Sequence, residues 1–361
     1  MSRMPYLAEA AMTDRQLRRA RELTALRGKP VSGPGAFWLR NPFISECAEP
    51  MRQHMEQGTS LPLALSELAI LMTARHWSAT YAWCRHEPQV IKAGIEASAV
   101  EDLRACRIPK FADDRATIVE LVVRTLLETG GLDDDAYGRA LAAFGLPALV
   151  ELVSLAGYGS LVSLANATFE PDPPDGVYDY LPPGASPVAP MVCHAHAPRL
   201  EASEDAGTRG GLIGAAAAAW GHCPKITECA RGYDETLRMH LTMAPATGAL
   251  IVLLVARYWL AWSLWPDLER FASARGLDAE TIDALAKGSR PSTLSREQAI
   301  AYDVAAELLA AGRTSDAIFA SARDSLGLTV LTEIPAIVGF LTMVCLTANV
   351  FAPAKGAPEA G

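Results

Sequence analysis

The apolar and polar positions of this chain run in the same order twice, 182 residues apart. Trp38, Pro42, Ile44, Glu46, Cys47 and Ala48 meet Trp220, Pro224, Ile226, Glu228, Cys229 and Ala230. Ala74-Arg75-His76-Trp77 meets Ala256-Arg257-Tyr258-Trp259, and Trp83 meets Trp265. Gly94, Pro109, Gly130, Gly145-Leu146, Glu151 and Phe169 meet Gly276, Pro291, Gly312, Gly327-Leu328, Glu333 and Phe351 without a gap. A register kept over that length means two copies of one fold.

Within the first copy the pattern predicts helices. Leu61 to Trp83 is a long apolar candidate. Pro88 and Gly94 bracket a short helix, and Ser98 to Cys106 reads as another with Ser98 as N-cap. Asp113 or Asp114 caps a helix from Arg115 to Glu128 that ends at Gly130. Asp133 to Phe144 and Leu146 to Phe169 complete the unit. Alternating, β-branched runs are scarce, so the expected fold class is all-α. The expected organisation is an N-terminal helical extension over 1–32, a first domain over 33–169, a proline- and glycine-rich connector over 170–215, a second domain over 216–351 and a tail over 352–361.

Composition narrows the partners. A net charge of −9 and the lack of a basic stripe argue against nucleic acid. The basic cluster from Arg15 to Arg27 reads as a solvated helix. No signal peptide is visible at the start. Seven cysteines without a Cys-x-x-Cys pair fit reduced thiols in a cytoplasmic protein. The apolar stretches Ala246–Trp265 and Leu328–Phe351 resemble membrane spans. Their partners in the first copy carry Glu67, Arg75, His76 and Glu151, so all four read as helices buried in protein, with no membrane partner expected.

The two copies differ where chemistry would sit. Glu67, Tyr81 and His86 become Ala249, Ser263 and Leu268. If the helix from Leu65 continues past Trp83 at about 100° per residue, Glu67, Arg75, Ser78 and His86 share one face, floored by Ala79 and Ala82. His76 falls on the opposite side, as a packing histidine. Spacing alone leaves His86 either a core histidine before the Glu87-Pro88 turn or a site residue; its loss together with Glu67 favours the site. Arg75 and Glu151 are kept in both copies and read as structural partners, Arg75 also as a candidate substrate ligand. Cys193-His194-Ala195-His196 resembles a metal-binding fragment, but no fourth ligand follows at a regular spacing and no metal is expected.

The segment Ala74-Arg75-His76-Trp77-Ser78-Ala79-Thr80-Tyr81-Ala82-Trp83-Cys84-Arg85-His86-Glu87-Pro88, with Lys92-Ala93-Gly94 after it, resembles the carboxymuconolactone decarboxylase family, related to the alkylhydroperoxidase D proteins. Gly33-Pro34-Gly35-Ala36-Phe37, Asn41-Pro42 and Ser66-Glu67-Leu68 fit as well. The resemblance implies two tandem domains of that all-helical family forming a pseudo-dimer, the second degenerate, and a homo-oligomer, a trimer favoured. The peroxidase branch carries two redox cysteines where this chain has Ala79 and Ala82, which points away from peroxide reduction. The implied activity is a cofactor-independent decarboxylase-like lyase acting on a small carboxylated lactone or keto/enol acid. His86 and Glu67 would be catalytic, and Arg75, Tyr81, Ser78 and Trp83 would bind substrate. A lactone hydrolase or isomerase, or a non-enzymatic small-molecule-binding scaffold, are the alternatives.

Overall fold

A computed structural model describes residues 2–172, 181–182, 199–200 and 211–352, and every regular element among them is helical. After α1 (Asp14–Arg27), the first run is α2 (Pro34–Trp38), α3 (Pro42–Gln57), α4 (Leu63–His76), α5 (Thr80–Lys92), α6 (Ala97–Arg104), α7 (Asp114–Thr129) and α8 (Asp134–Phe169). The second is α9 (Ala216–Trp220), α10 (Pro224–Met239), α11 (Pro245–Tyr258), α12 (Trp265–Ala274), α13 (Ala279–Ala286), α14 (Arg296–Ala311) and α15 (Asp316–Phe351). Six of the seven pairs are offset by 182 at both ends; only α12 starts late.

Local chemistry sets these bounds. Asp113 caps α7 by accepting from Arg115 N–H at 2.8 Å, and Gly130 closes it with φ 79°. Gly145 breaks α8 with φ 73° and ψ 168°, and Gly327 breaks α15 with φ 79° and ψ 164°. Those angles favour glycine. Two sequence expectations fail here. Pro88 lies inside α5 rather than opening a helix, and α6 starts at Ala97, with Glu96 rather than Ser98 in the cap position.

The predicted helix over 61–83 is also broken. α4 stops at His76, and Ser78 adopts φ 51°. The Ala79 N–H donates to Ala74 C=O at 2.8 Å, a six-to-one bond of the Schellman type. The second run repeats this turn with Leu260 at φ 52° and Ala261 N–H on Ala256 C=O. The turn folds α5 back against α4.

α8 and α15 pack on each other at the centre, and α3 packs on α10. Both long helices have the length and apolarity to cross a membrane. Here 56% of the most apolar window of α8 and 94% of that of α15 are buried in protein. Their contacts are reciprocal: Gly157 lies against the Met343 backbone and Gly339 against the Leu161 backbone. Conserved pairs in the two runs do matching work. Arg75 Nε donates to Arg104 C=O at 2.8 Å, and Arg257 Nε to Ala286 C=O at 3.0 Å. Trp77 Nε1 donates to Ser160 and Trp259 Nε1 to Thr342. Glu151 accepts from Ser60 N–H, and Glu333 from Thr242 and Met243 N–H. Each carboxylate therefore holds the turn before α4 or α11.

Candidate functional site

A cavity of about 590 Å³ lies between α3, α5, α8 and the end of α1 with α2. From α5 it receives His86, Tyr81, Ala82 and Arg85. His86 is 6% exposed, and its Nδ1 lies 2.7 Å from Glu67 Oε2. Glu67 is equally buried and sits behind the imidazole, off the cavity wall. A carboxylate accepts, so Nδ1 carries the proton and Nε2 is the nitrogen left for a ligand. Glu67 thus fixes the tautomer and ring orientation and stabilises an imidazolium if one forms.

The pair meets for a reason the helical wheel does not contain. Nineteen residues of unbroken helix would hold the two side chains roughly 28 Å apart along the axis. The Ser78 turn brings them together by reversing the chain. Tyr81 also borders the cavity, with its hydroxyl 3.2 Å from Ser32 Oγ. Its ring approaches Gly33 so closely that a Cβ there would fall 2.7 Å from Cε1, and Gly33 has φ 60°. Glycine is needed on both counts.

The other predicted substrate ligands lie elsewhere. Arg75 spends its guanidinium on the carbonyls of Arg104 and Pro182 and does not border the cavity. Its partner is the end of α6, not a carboxylate. Ser78 is exposed on the turn, 3.5 Å from Arg75 Nη1. Trp83 is fully buried, with the Arg104 guanidinium 5.4 Å from its ring centre. Of the two alanines, Ala82 reaches the cavity and Ala79 does not. His76 is held edge-on to Trp77, and burial lowers its pKa to about 4, as befits a neutral packing group. Cys193, His194 and His196 lie outside the described residues, and no cluster of metal-binding side chains occurs among the described ones.

Sequence reasoning missed the α3 and α8 walls. Glu49, 3% exposed, accepts from Arg52 Nη2 at 2.7 Å and from Arg27. Arg52 continues to Glu56 at 2.8 Å, and Tyr158 donates its hydroxyl to Glu56 at 2.9 Å. Burial pushes the Tyr158 phenol well up, and Glu56 adds to that, so it stays a donor. Val162 and Asn166 complete the α8 wall. The repeat held the signal. Glu49, Arg52, Glu56, Tyr158 and Asn166 stand opposite Arg231, Asp234, Arg238, Phe340 and Ala348. Leu264, Leu268 and Phe340, all fully buried, replace Ala82, His86 and Tyr158.

Burial would raise the Glu49 pKa, but hydrogen bonds and charge from Arg52 and Arg27 outweigh it and hold the carboxyl below its ordinary 4.5. Its contribution to stability is therefore complete above pH 4.5 and disappears as pH falls through the depressed folded value. Glu49→Gln is expected to cost about 2 kcal/mol at pH 7, under the usual loss for a fully buried pair because both arginines are partly exposed. Urea unfolding at pH 7 and pH 3 checks this; a deficit of the same size at both values would refute it.

No protein-family model and no curated protein matches this chain.

Proposed function

We propose that this protein is a cofactor-independent acid–base enzyme, a decarboxylase-like lyase acting on a small carboxylated lactone or a keto/enol acid. The observation that carries the reading is the buried Glu67–His86 pair opening onto a cavity of about 590 Å³ in one half of a duplicated chain. That volume suits a small organic ligand. The motif residues from Ala74 to Pro88 support placing both halves in the carboxymuconolactone decarboxylase family. The reciprocal contacts of α8 and α15 are those of an isologous pair, which supports a fused pseudo-dimer.

The substrate carboxylate is assigned to Arg85 and Lys29. Both are exposed, border the cavity and have no ion-pair partner among the described residues, whereas Arg27 and Arg52 are held by Glu49. Loss of CO₂ beside a conjugated carbonyl leaves its electron pair on a dienolate. Nε2 of protonated His86 then gives a proton to the carbanion carbon, with Glu67 holding the imidazolium until the transfer. The Tyr81 hydroxyl, which borders the same cavity, would donate to the enolate oxygen.

Mass analysis of products from candidate lactones and keto acids tests the reaction. Loss of CO₂ is expected. Gain of water would transfer the same pair to a hydrolase role, with neutral His86 as base, and binding without turnover would leave a small-molecule scaffold.

A further inference from the structure

Two residues that border the cavity, Trp38 and Asn166, hold buried side-chain polar atoms with every one unpartnered among the described residues, and of the two only the Asn166 amide offers both a donor and an acceptor. Asn166 is 3% exposed, and neither Nδ2 nor Oδ1 has a hydrogen-bond partner among the described residues. A buried amide without partners is destabilising, and native chains rarely keep one without a use. Tyr158, Val162 and Asn166 are spaced four apart, so they lie along one face of α8, and all three border the cavity. The same face of α15 carries Phe340, Val344 and Ala348. The two helices share length, kink and register, so the fold itself does not require an amide at this place. Polarity on this face accompanies the cavity; at the corresponding positions of the second run stand the buried apolar residues Leu268 and Phe340.

The charged groups of the α3 wall are already committed, and Arg85 and Lys29 are assigned to the substrate carboxylate. Glu49 takes Arg27 and Arg52, and Glu56 takes Arg52 and Tyr158. The amide is thus a neutral donor and acceptor, side by side, with no partner of its own. Its complement is a group with an adjacent acceptor and donor: an enol beside a carbonyl, a carboxamide or a lactam. A plain ester or lactone offers only acceptors and would leave Oδ1 unmet.

We propose that Asn166 is a specificity-determining residue that binds an uncharged donor–acceptor group of the ligand, such as an enolised keto acid or a cyclic amide. This rests on the cavity being the ligand site of the preceding reading, but not on His86 doing chemistry.

A matched pair of probes tests it on the full chain. δ-Valerolactam and δ-valerolactone have nearly the same shape, and only the lactam carries the N–H. In competition-mode ligand-observed NMR the lactam is expected to bind at least tenfold more tightly, and Asn166→Ala should erase that preference. His86→Ala should keep it, which separates this proposal from the catalytic one. Thermal melting adds a sign test: Asn166→Leu, which removes the unmet amide at similar volume, should raise Tm. Equal affinity for the two probes, no saturable lactam binding, or an unchanged preference in Asn166→Ala overturns the proposal. A fall in Tm for Asn166→Leu would make the amide structural and overturn it as well.

Discussion

Replacing His86 with alanine is expected to lower turnover by about 10² to 10⁴, the usual contribution of a positioned acid–base group. It should also destabilise the fold, for a separate reason. His86 is the only hydrogen-bond partner of the buried Glu67 carboxylate among the described residues. Removing it leaves a charge with low exposure and no partner, which costs about 1–3 kcal/mol or is relieved by protonation. The two effects can be pulled apart. Glu67→Gln combined with His86→Ala should recover stability while turnover stays as low as in the single His86 variant, because groups that act as a unit are not additive in rate. Steady-state rates on the substrate found by product analysis, together with urea unfolding of the same three variants, check both halves. Turnover within a factor of two of the parent in His86→Ala would end the catalytic assignment.

The comparison of the two copies identified this pair, while the geometric argument attached to it was mistaken. Glu67 and His86 differ from Ala249 and Leu268 whatever path the backbone takes, so the substitution pattern pointed to them without a structure. The wheel argument needed a continuous helix, and nothing in the chain warned of the break. The turn residue is Ser78 in one copy and Leu260 in the other, where a left-handed C-cap is ordinarily announced by glycine. Tertiary packing of α5 on α4 holds a conformation that local propensity does not advertise. The same blindness hid the α3 wall. Glu49, Arg52 and Glu56, three and four apart, look like a solvated charged face, and only the arrival of α1 and α8 buries Glu49 and turns the row toward a cavity. Arg75 was legible as a structural residue from its retention as Arg257; its partner was not, since a carbonyl at the end of α6 leaves no mark in the sequence. The duplication, the all-helical class and the glycine breaks at 145 and 327 were readable because each rests on residue type at a fixed position.

The largest stability change is expected where the two copies meet. A methyl group on Gly339 would lie 2.4 Å from Leu161 Cα, and one on Gly157 would lie 2.5 Å from Met343 Cα. These neighbours are backbone atoms of a long packed helix and cannot swing aside. Gly→Ala inside a helix normally gains up to about 1 kcal/mol through lower chain entropy in the unfolded state and better helix propensity. Overpacking a core costs about 1–3 kcal/mol and occasionally more. With contact distances this short the steric cost dominates, so Gly339→Ala should destabilise by about 3 kcal/mol net. Gly157→Ala should behave alike, since the contact is reciprocal. Both clashes sit at the crossing of α8 and α15, so a small separation of the helices that relieves one relieves part of the other. The double variant is therefore expected to lose less than the sum of the two single losses. Chemical unfolding of the three proteins measures this directly, and a gain in stability for either single variant would mean that the two helices do not approach as closely as the fold requires.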